Sequence, residues 1–214
     1  MRKRKFIFSI FQLFLFSLFK LFTFKNAYSK TSKTNILFHE NFLKYIISDD
    51  HPEKPERIEY LLNEILKTNL KDDLINVSLS NLNHDPYFWI KKIHTNNHIL
   101  SLKKENVKGE MASKTATMIC LHGIDRIMSG KVKNIFCLVR PPGHHALNTG
   151  RIEGFCFYNH IAITAKYIQV KYKLKKILIV DWDYHHGNST EYFFYDDPTI
   201  LFFSTHDQFA YPGT

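Results

Sequence analysis

Apolar positions along the chain alternate between strand-like runs and helical periodicity, and the switches mark the elements. Asn35-Ile36-Leu37-Phe38 is a short run of strand length, and Pro55 opens a helix in which Ile58, Leu61, Leu62, Ile65 and Leu66 recur at i, i+3, i+4, i+7 and i+8. Residues 77–79 suggest a second strand. A longer helix is predicted over 113–128, with Ala116, Ile119, Cys120, Gly123, Ile124 and Ile127 on one stripe and Gly130 placed to stop it. The apolar run 135–139 then predicts a strand buried on both faces. Tyr158, Ile161, Ala162, Ala165 and Ile168 mark another helix, followed by a strand over 177–180, a brief helix over 190–195 and a strand over 200–203. No linker or repeat divides the chain after residue 35. The alternation predicts one α/β domain with a parallel sheet and right-handed crossovers. Sites in such sheets form at the carboxyl ends of strands, so the loops after Val139, Val180 and Phe203 are expected along one edge.

Residues 1–33 follow a different logic. Arg2, Lys3, Arg4 and Lys5 precede a 14-residue apolar stretch, Phe6 to Phe19, and Ala27-Tyr28-Ser29 supplies small residues for cleavage after Ser29. A secretory signal peptide, an uncleaved membrane anchor and an organelle-targeting segment all fit this pattern. Export or membrane association is the expectation, with a cytoplasmic location the alternative, and these residues are set apart from the fold.

Charge changes the picture once it is located. The net charge is +9, yet residues 1–33 hold eight basic residues and no acid, leaving 21 basic against 20 acidic residues over 34–214. The body is nearly neutral and lacks a basic block interleaved with aromatics, so direct nucleic-acid binding is not expected. Three cysteines, Cys120, Cys137 and Cys156, with no CxxC, read as thiols rather than a disulfide framework.

Two of the strand-end loops concentrate chemistry. After Val180 the chain reads Asp181-Trp182-Asp183-Tyr184-His185-His186-Gly187, in which Asp181, Asp183 and His185 share parity while strand geometry lasts. An Asp and a His at this spacing suit a divalent metal with an open position, and helix-capping aspartates are the plainer reading. After Val139 comes Arg140-Pro141-Pro142-Gly143-His144-His145-Ala146, where two prolines and a glycine constrain the turn holding adjacent imidazoles. Such a pair can divide base and acid duties on one tetrahedral intermediate. His39, His84, His94, His98, His122, His160 and His206 lack ligand-like spacing, and Trp89 and Trp182 read as core.

Together with His51-Pro52-Glu53-Lys54-Pro55-Glu56-Arg57, Gly154-Phe155-Cys156-Phe157-Tyr158-Asn159, Asn188, Ser204-Thr205-His206 and Tyr211-Pro212-Gly213-Thr214, these strings resemble the zinc-dependent histone deacetylase superfamily. That superfamily includes bacterial deacetylase-like amidohydrolases and acetylpolyamine amidohydrolases, and the Asp-Trp-Asp-Tyr-His-His-Gly-Asn form looks like its class II and bacterial branch. The resemblance runs from about Thr34 to Thr214. It implies a three-layer α/β fold of the arginase/deacetylase type, with a mainly parallel sheet flanked by helices, of which 34–214 would be the N-terminal portion. The implied activity is removal of acetyl groups from acetyl-lysine peptides or acetylpolyamines with Zn²⁺ as cofactor. Asp183 and His185 would be zinc ligands. His144 and His145 would be the general base and acid, backed by Asp181 and Asn188. Gly154, Phe155 and Tyr211 would line the substrate tube, and Arg57 the acetate channel. Asp181, Asp183, His185, Ser204 and Thr205 would form a potassium site.

Two departures follow. Gly109-Glu110-Met111 occupies the region where relatives place a substrate-gripping Asp, and the third zinc ligand and the carbonyl-polarising Tyr or His are expected after Thr214. A truncated, inactive deacetylase and a non-enzymatic acyl-amine binding module are therefore the alternatives to an active enzyme.

Overall fold

The computed structural model describes residues 33–214, so the signal or anchor expected over 1–33 lies outside the described residues but for Lys33. Strand β1 (Thr34–Phe38) pairs in parallel with β2 (Leu74–Asn76) on one side and β3 (Asn134–Cys137) on the other. A second parallel pair joins β4 (Ile177–Asp181) to β5 (Ile200–Ser204). The single sheet expected from the alternation is thus two sheets, ordered β2-β1-β3 and β4-β5, and β3 and β4 are not hydrogen-bonded neighbours.

Helices fill the connections: α1 (Asn41–Lys44), α2 (Glu56–Leu66), α3 (Pro86–Ile90), α4 (Asn96–Glu105), α5 (Val107–Met128), α6 (His160–Tyr172) and α7 (Asn188–Phe194). Among the described residues no helix is long and apolar enough to cross a membrane. Caps explain several boundaries. Asn106 accepts the Gly109 N–H at 2.8 Å, which starts α5 six residues before the periodic stripe suggested. Asn159 does the same for α6 by accepting from Ala162 at 3.0 Å.

Three apolar clusters hold the layers. Leu37, Phe42, Ile58, Val77, Ala116, Ile119 and Leu138 pack around β1, whose last four residues are all buried. Tyr45, Ile90, Leu102, Ala112, Phe157, Tyr158 and Ile163 join α3, α4 and α5 to the loop before α6. Ala162, Ala165, Ile179, Phe194 and Ile200 seat α6 and α7 on β4 and β5.

Three expectations are corrected. The second strand lies at Leu74–Asn76 rather than 77–79, because Phe38 pairs with Asn76, while Val77 turns into the core and Leu79 begins a 3-10 turn. β3 is not buried on both faces: Phe136 is exposed, and Leu178, Val180, Leu201 and Phe203 likewise face outward on β4 and β5. Trp182 is not core, being 82% exposed beside the open edge of β4.

Candidate functional site

The loops after β3 and β4 converge although their strands do not pair. A pocket of about 490 Å³ lies between them, lined by His144, His145, Asp183 and His185, with Pro52, Glu53 and Arg57 at one side and Gly154, Phe155 and Tyr211 at another. Of the residues singled out in the sequence, Asp181 and Asn188 stand behind this lining, and Ser204 and Thr205 lie at the end of β5.

Each imidazole of the pair has its own support. Asp181 Oδ2 is 2.9 Å from His144 Nδ1, and Asn188 Oδ1 is 2.9 Å from His145 Nδ1. The rings sit 4.0 Å apart between centroids at 46°. Burial disfavours the imidazolium of His145 and pushes its pKa down to about 4, with the Asn188 bond opposing that shift. Burial opposes ionisation of Asp181, but its bonds to His144 and to the Asp183 N–H hold its carboxyl below the usual carboxylate range. An Asp partner brings a full negative charge to the ring it holds and an Asn partner only a neutral acceptor, so the two histidines are electrostatically unlike.

The shared strand parity of Asp181, Asp183 and His185 is not the operating geometry, because β4 ends at Asp181. Two side-chain turns replace it: Asp183 N–H donates to Asp181 Oδ1 at 3.1 Å, and His185 N–H donates to Asp183 Oδ1 at 2.8 Å. These turns bring His185 Nδ1 within 3.1 Å of Asp183 Oδ1. Asp183 and His185 are both partly exposed to the pocket and carry the oxygen and nitrogen donors that zinc accepts. Among the described residues no group of three or more His, Cys, Asp or Glu is arranged to hold a metal, so this pair stands as two donors. At the strand ends, Thr205 N–H donates to the Asp181 carbonyl at 3.1 Å, and Ser204 is the register partner of Asp181.

The pocket wall comes from a four-residue turn. Glu153 and Cys156 exchange backbone hydrogen bonds, and Gly154 and Phe155 between them adopt φ of 51° and 67°. Phe155 is a non-glycine residue in the left-handed region, as local strain at a functional surface often appears. Its ring meets His51 edge-on at 4.7 Å, and Tyr211 meets His145 edge-on at 4.9 Å. A Cβ at Gly154 would overlap His145 Cδ2, so glycine lets this backbone lie against the imidazole.

A histone deacetylase domain matches residues 51–214. The chain belongs to the histone deacetylase family. It is 31% identical over 198 residues to a probable deacetylase of Archaeoglobus fulgidus, covering 85% of this chain and 53% of that protein. Polyamine deacetylase HDAC10 of the mouse is 33% identical over 194 residues, covering 81% of this chain and 29% of the relative. The crystal structure of the HDA15 HD domain superposes with a TM-score of 0.75 at 30% identity, over 86% of this chain and 56% of that one. This member of the family therefore spans about half the length of its archaeal relative and less of the mouse one.

Sequence reading missed several supports of the site. Arg140 is 1% exposed and grips Glu53 with two bonds, Nε to Oε1 at 2.8 Å and Nη2 to Oε2 at 2.7 Å, while Nη1 donates to the carbonyls of Phe42 and Tyr45. Arg57, read as a channel residue, stands 3.6 Å from the same Glu53. Asn159 donates to Ser189 and Thr190, each at 3.0 Å, tying α6 to the start of α7 beside Asn188. All these residues except Phe42, Tyr45, Ser189 and Thr190 lie in the recognised strings, but spacing does not say which string grips which. Glu110 occupies the region where a substrate-gripping Asp was sought, and it is buried, accepting from Tyr87 and Tyr158 at 2.8 Å each. Cys156 is fully buried, which raises its pKa and leaves a neutral thiol.

Proposed function

We propose that this chain provides the base, acid and two metal donors of a zinc-dependent amidohydrolase that removes acetyl groups from acetyl-lysine or acetylpolyamine chains. The observation that carries the reading is the pairing of His144 with Asp181 and of His145 with Asn188 in the pocket that Asp183 and His185 also line, His144 Nε2 standing 3.9 Å from Asp183 Oδ1. Asp183 and His185 would hold the zinc, which would supply Lewis-acid polarisation of the acyl carbonyl and a lowered pKa for the attacking water. His144, held by the Asp181 carboxylate, takes the proton from that water. His145, oriented by Asn188 through Nδ1, would in its imidazolium form carry the proton that goes to the departing amine. Gly154, Phe155 and Tyr211 enclose the aliphatic chain of the substrate, and Arg57 beside Glu53 receives the acetate product. Asp181, Ser204, and the backbone oxygens of Asp183, His185 and Thr205 would hold a potassium ion that stiffens the zinc-bearing loop.

The mouse relative named as a polyamine deacetylase makes acetylpolyamines as reasonable a substrate class as acetyl-lysine peptides. The test is metal content and turnover of both substrate types by the purified chain with added zinc. Asp183→Ala should lose zinc and activity together, and His145→Ala should retain zinc while losing rate. Release of the metal by His145→Ala would overturn the division of labour between the loops.

A further inference from the structure

Two histidines that carry no ligand-like spacing make a regular set of bonds to the loop that lines the pocket. His94 lies just before α4, whose N-cap is Thr95, and His98 lies in its first turn; both are almost fully buried and stack at 4.9 Å and 22°. Facing them is the loop 148–159, which carries Gly154 and Phe155 at its tip.

The four ring nitrogens each have one loop partner. His94 Nε2 accepts the Asn159 N–H at 2.9 Å, which leaves the proton on Nδ1 to donate to Asn148 Oδ1 at 3.2 Å. His98 Nδ1 accepts the Gly150 N–H at 3.1 Å, so its Nε2–H donates to the Phe157 carbonyl at 2.9 Å. Each neutral imidazole thus serves once as donor and once as acceptor, in opposite tautomers. Protonation would turn an acceptor nitrogen towards an N–H donor, and burial already lowers both pKa values, that of His94 to about 3.

The pairing has a regular order. His94 bridges residues 148 and 159, His98 bridges 150 and 157, and the backbone closes the series by joining 153 to 156. The three levels are nested, 148 with 159 outside 150 with 157 outside 153 with 156, and an imidazole spans each of the outer two. Asn148 is anchored further: its Nδ2 donates to the Ile93 carbonyl at 3.0 Å, and its Oδ1 accepts from Thr95 N at 3.0 Å.

We propose that His94 and His98 are positioning residues that act as side-chain rungs of this loop and hold Gly154 against His145 and Phe155 at the pocket mouth. The proposal rests on the deacetylase reading only for its effect on substrate. The ladder itself sets how near the left-handed Gly154–Phe155 tip approaches the His145 ring, and therefore the width available to an acyl-amine chain.

The experiment uses the full chain, with His98→Ala and His98→Gln, the latter retaining one donor and one acceptor. Ring ¹⁵N shifts of the unsubstituted protein should report His94 as the neutral Nδ1–H form and His98 as the neutral Nε2–H form at pH 6; the reverse tautomers, or charged rings, would overturn the ladder. Tryptic cleavage after the exposed Arg151, followed by mass spectrometry, should accelerate about tenfold in His98→Ala, as expected when hydrogen-bonded rungs are removed from a local opening, and return most of the way in His98→Gln. KM for an acetyl-lysine peptide should rise in His98→Ala with zinc content unchanged and kcat little altered. Unchanged cleavage and unchanged KM would sink the proposal. Absence of turnover in the unsubstituted chain would count against the deacetylase reading alone, since the ¹⁵N and proteolysis measurements still decide the ladder.

Discussion

Asp181 and His144 meet through a 2.9 Å bond that depends on the absence of a side chain at Gly187. A Cβ there would overlap Asp181 Oδ2 and lie 3.3 Å from His144 Nδ1. The motif that supplies the carboxylate therefore also supplies the space in which it reaches the imidazole.

Gly187→Ala should separate Asp181 from His144 and remove the carboxylate that keeps His144 a competent base. Deacetylation should fall by about 10²–10⁴-fold, the usual contribution of a positioned proton-transfer group. Steady-state kinetics together with the His144 ring ¹⁵N shift check this, and an unchanged shift with unchanged rate would show that Asp181 is dispensable.

Glu53 neutralises a guanidinium that is sealed from water, whereas its contact with Arg57 is long and largely exposed on the Arg57 side. Glu53→Ala should destabilise the fold by about 3–5 kcal/mol by leaving Arg140 buried and unpaired. Arg57→Ala should cost at most about 1 kcal/mol. Urea titrations of the two variants compare them directly.

His160 is buried between Thr117 and the Pro141 carbonyl, and burial lowers its pKa from 6.5 to about 4. Its contribution to stability is complete above pH 6.5 and is lost as the pH falls towards 4, because the unfolded chain binds a proton that the folded chain refuses. The slope over that window should reach about 1.4 kcal/mol per pH unit for this group. His160→Gln retains a donor for Pro141 without the titration, and denaturant melts between pH 4.5 and 7.5 should show a flatter profile. Parallel profiles would mean that His160 is protonated in the fold.

Alternation on β5 yields opposite outcomes at adjacent residues. Ile200 is packed under α6 and α7, while Leu201 is 66% exposed. Ile200→Ala should cost about 2–5 kcal/mol and Leu201→Ala about 0.5 kcal/mol or less, measured by the same urea titrations.

The sequence by itself determined the strands β1, β4 and β5 to within a residue or two, the helical stripes, and the placing of two histidine-bearing loops at strand ends. Those features arise from backbone periodicity and turn chemistry, which act over a few residues. Even the closeness of Asp183 to His185 is local, although side-chain turns and not strand parity produce it. Only the tertiary structure decided that Glu53 serves Arg140, that His51 packs on Phe155, and that His94 and His98 clasp the loop beside His145. Their partners lie 52 or more positions away in every case, and periodicity carries no information about which chain segments meet. It also decided that β3 and β4 do not pair and that Trp182 faces outward, because an apolar run states that burial is favourable without stating what covers it.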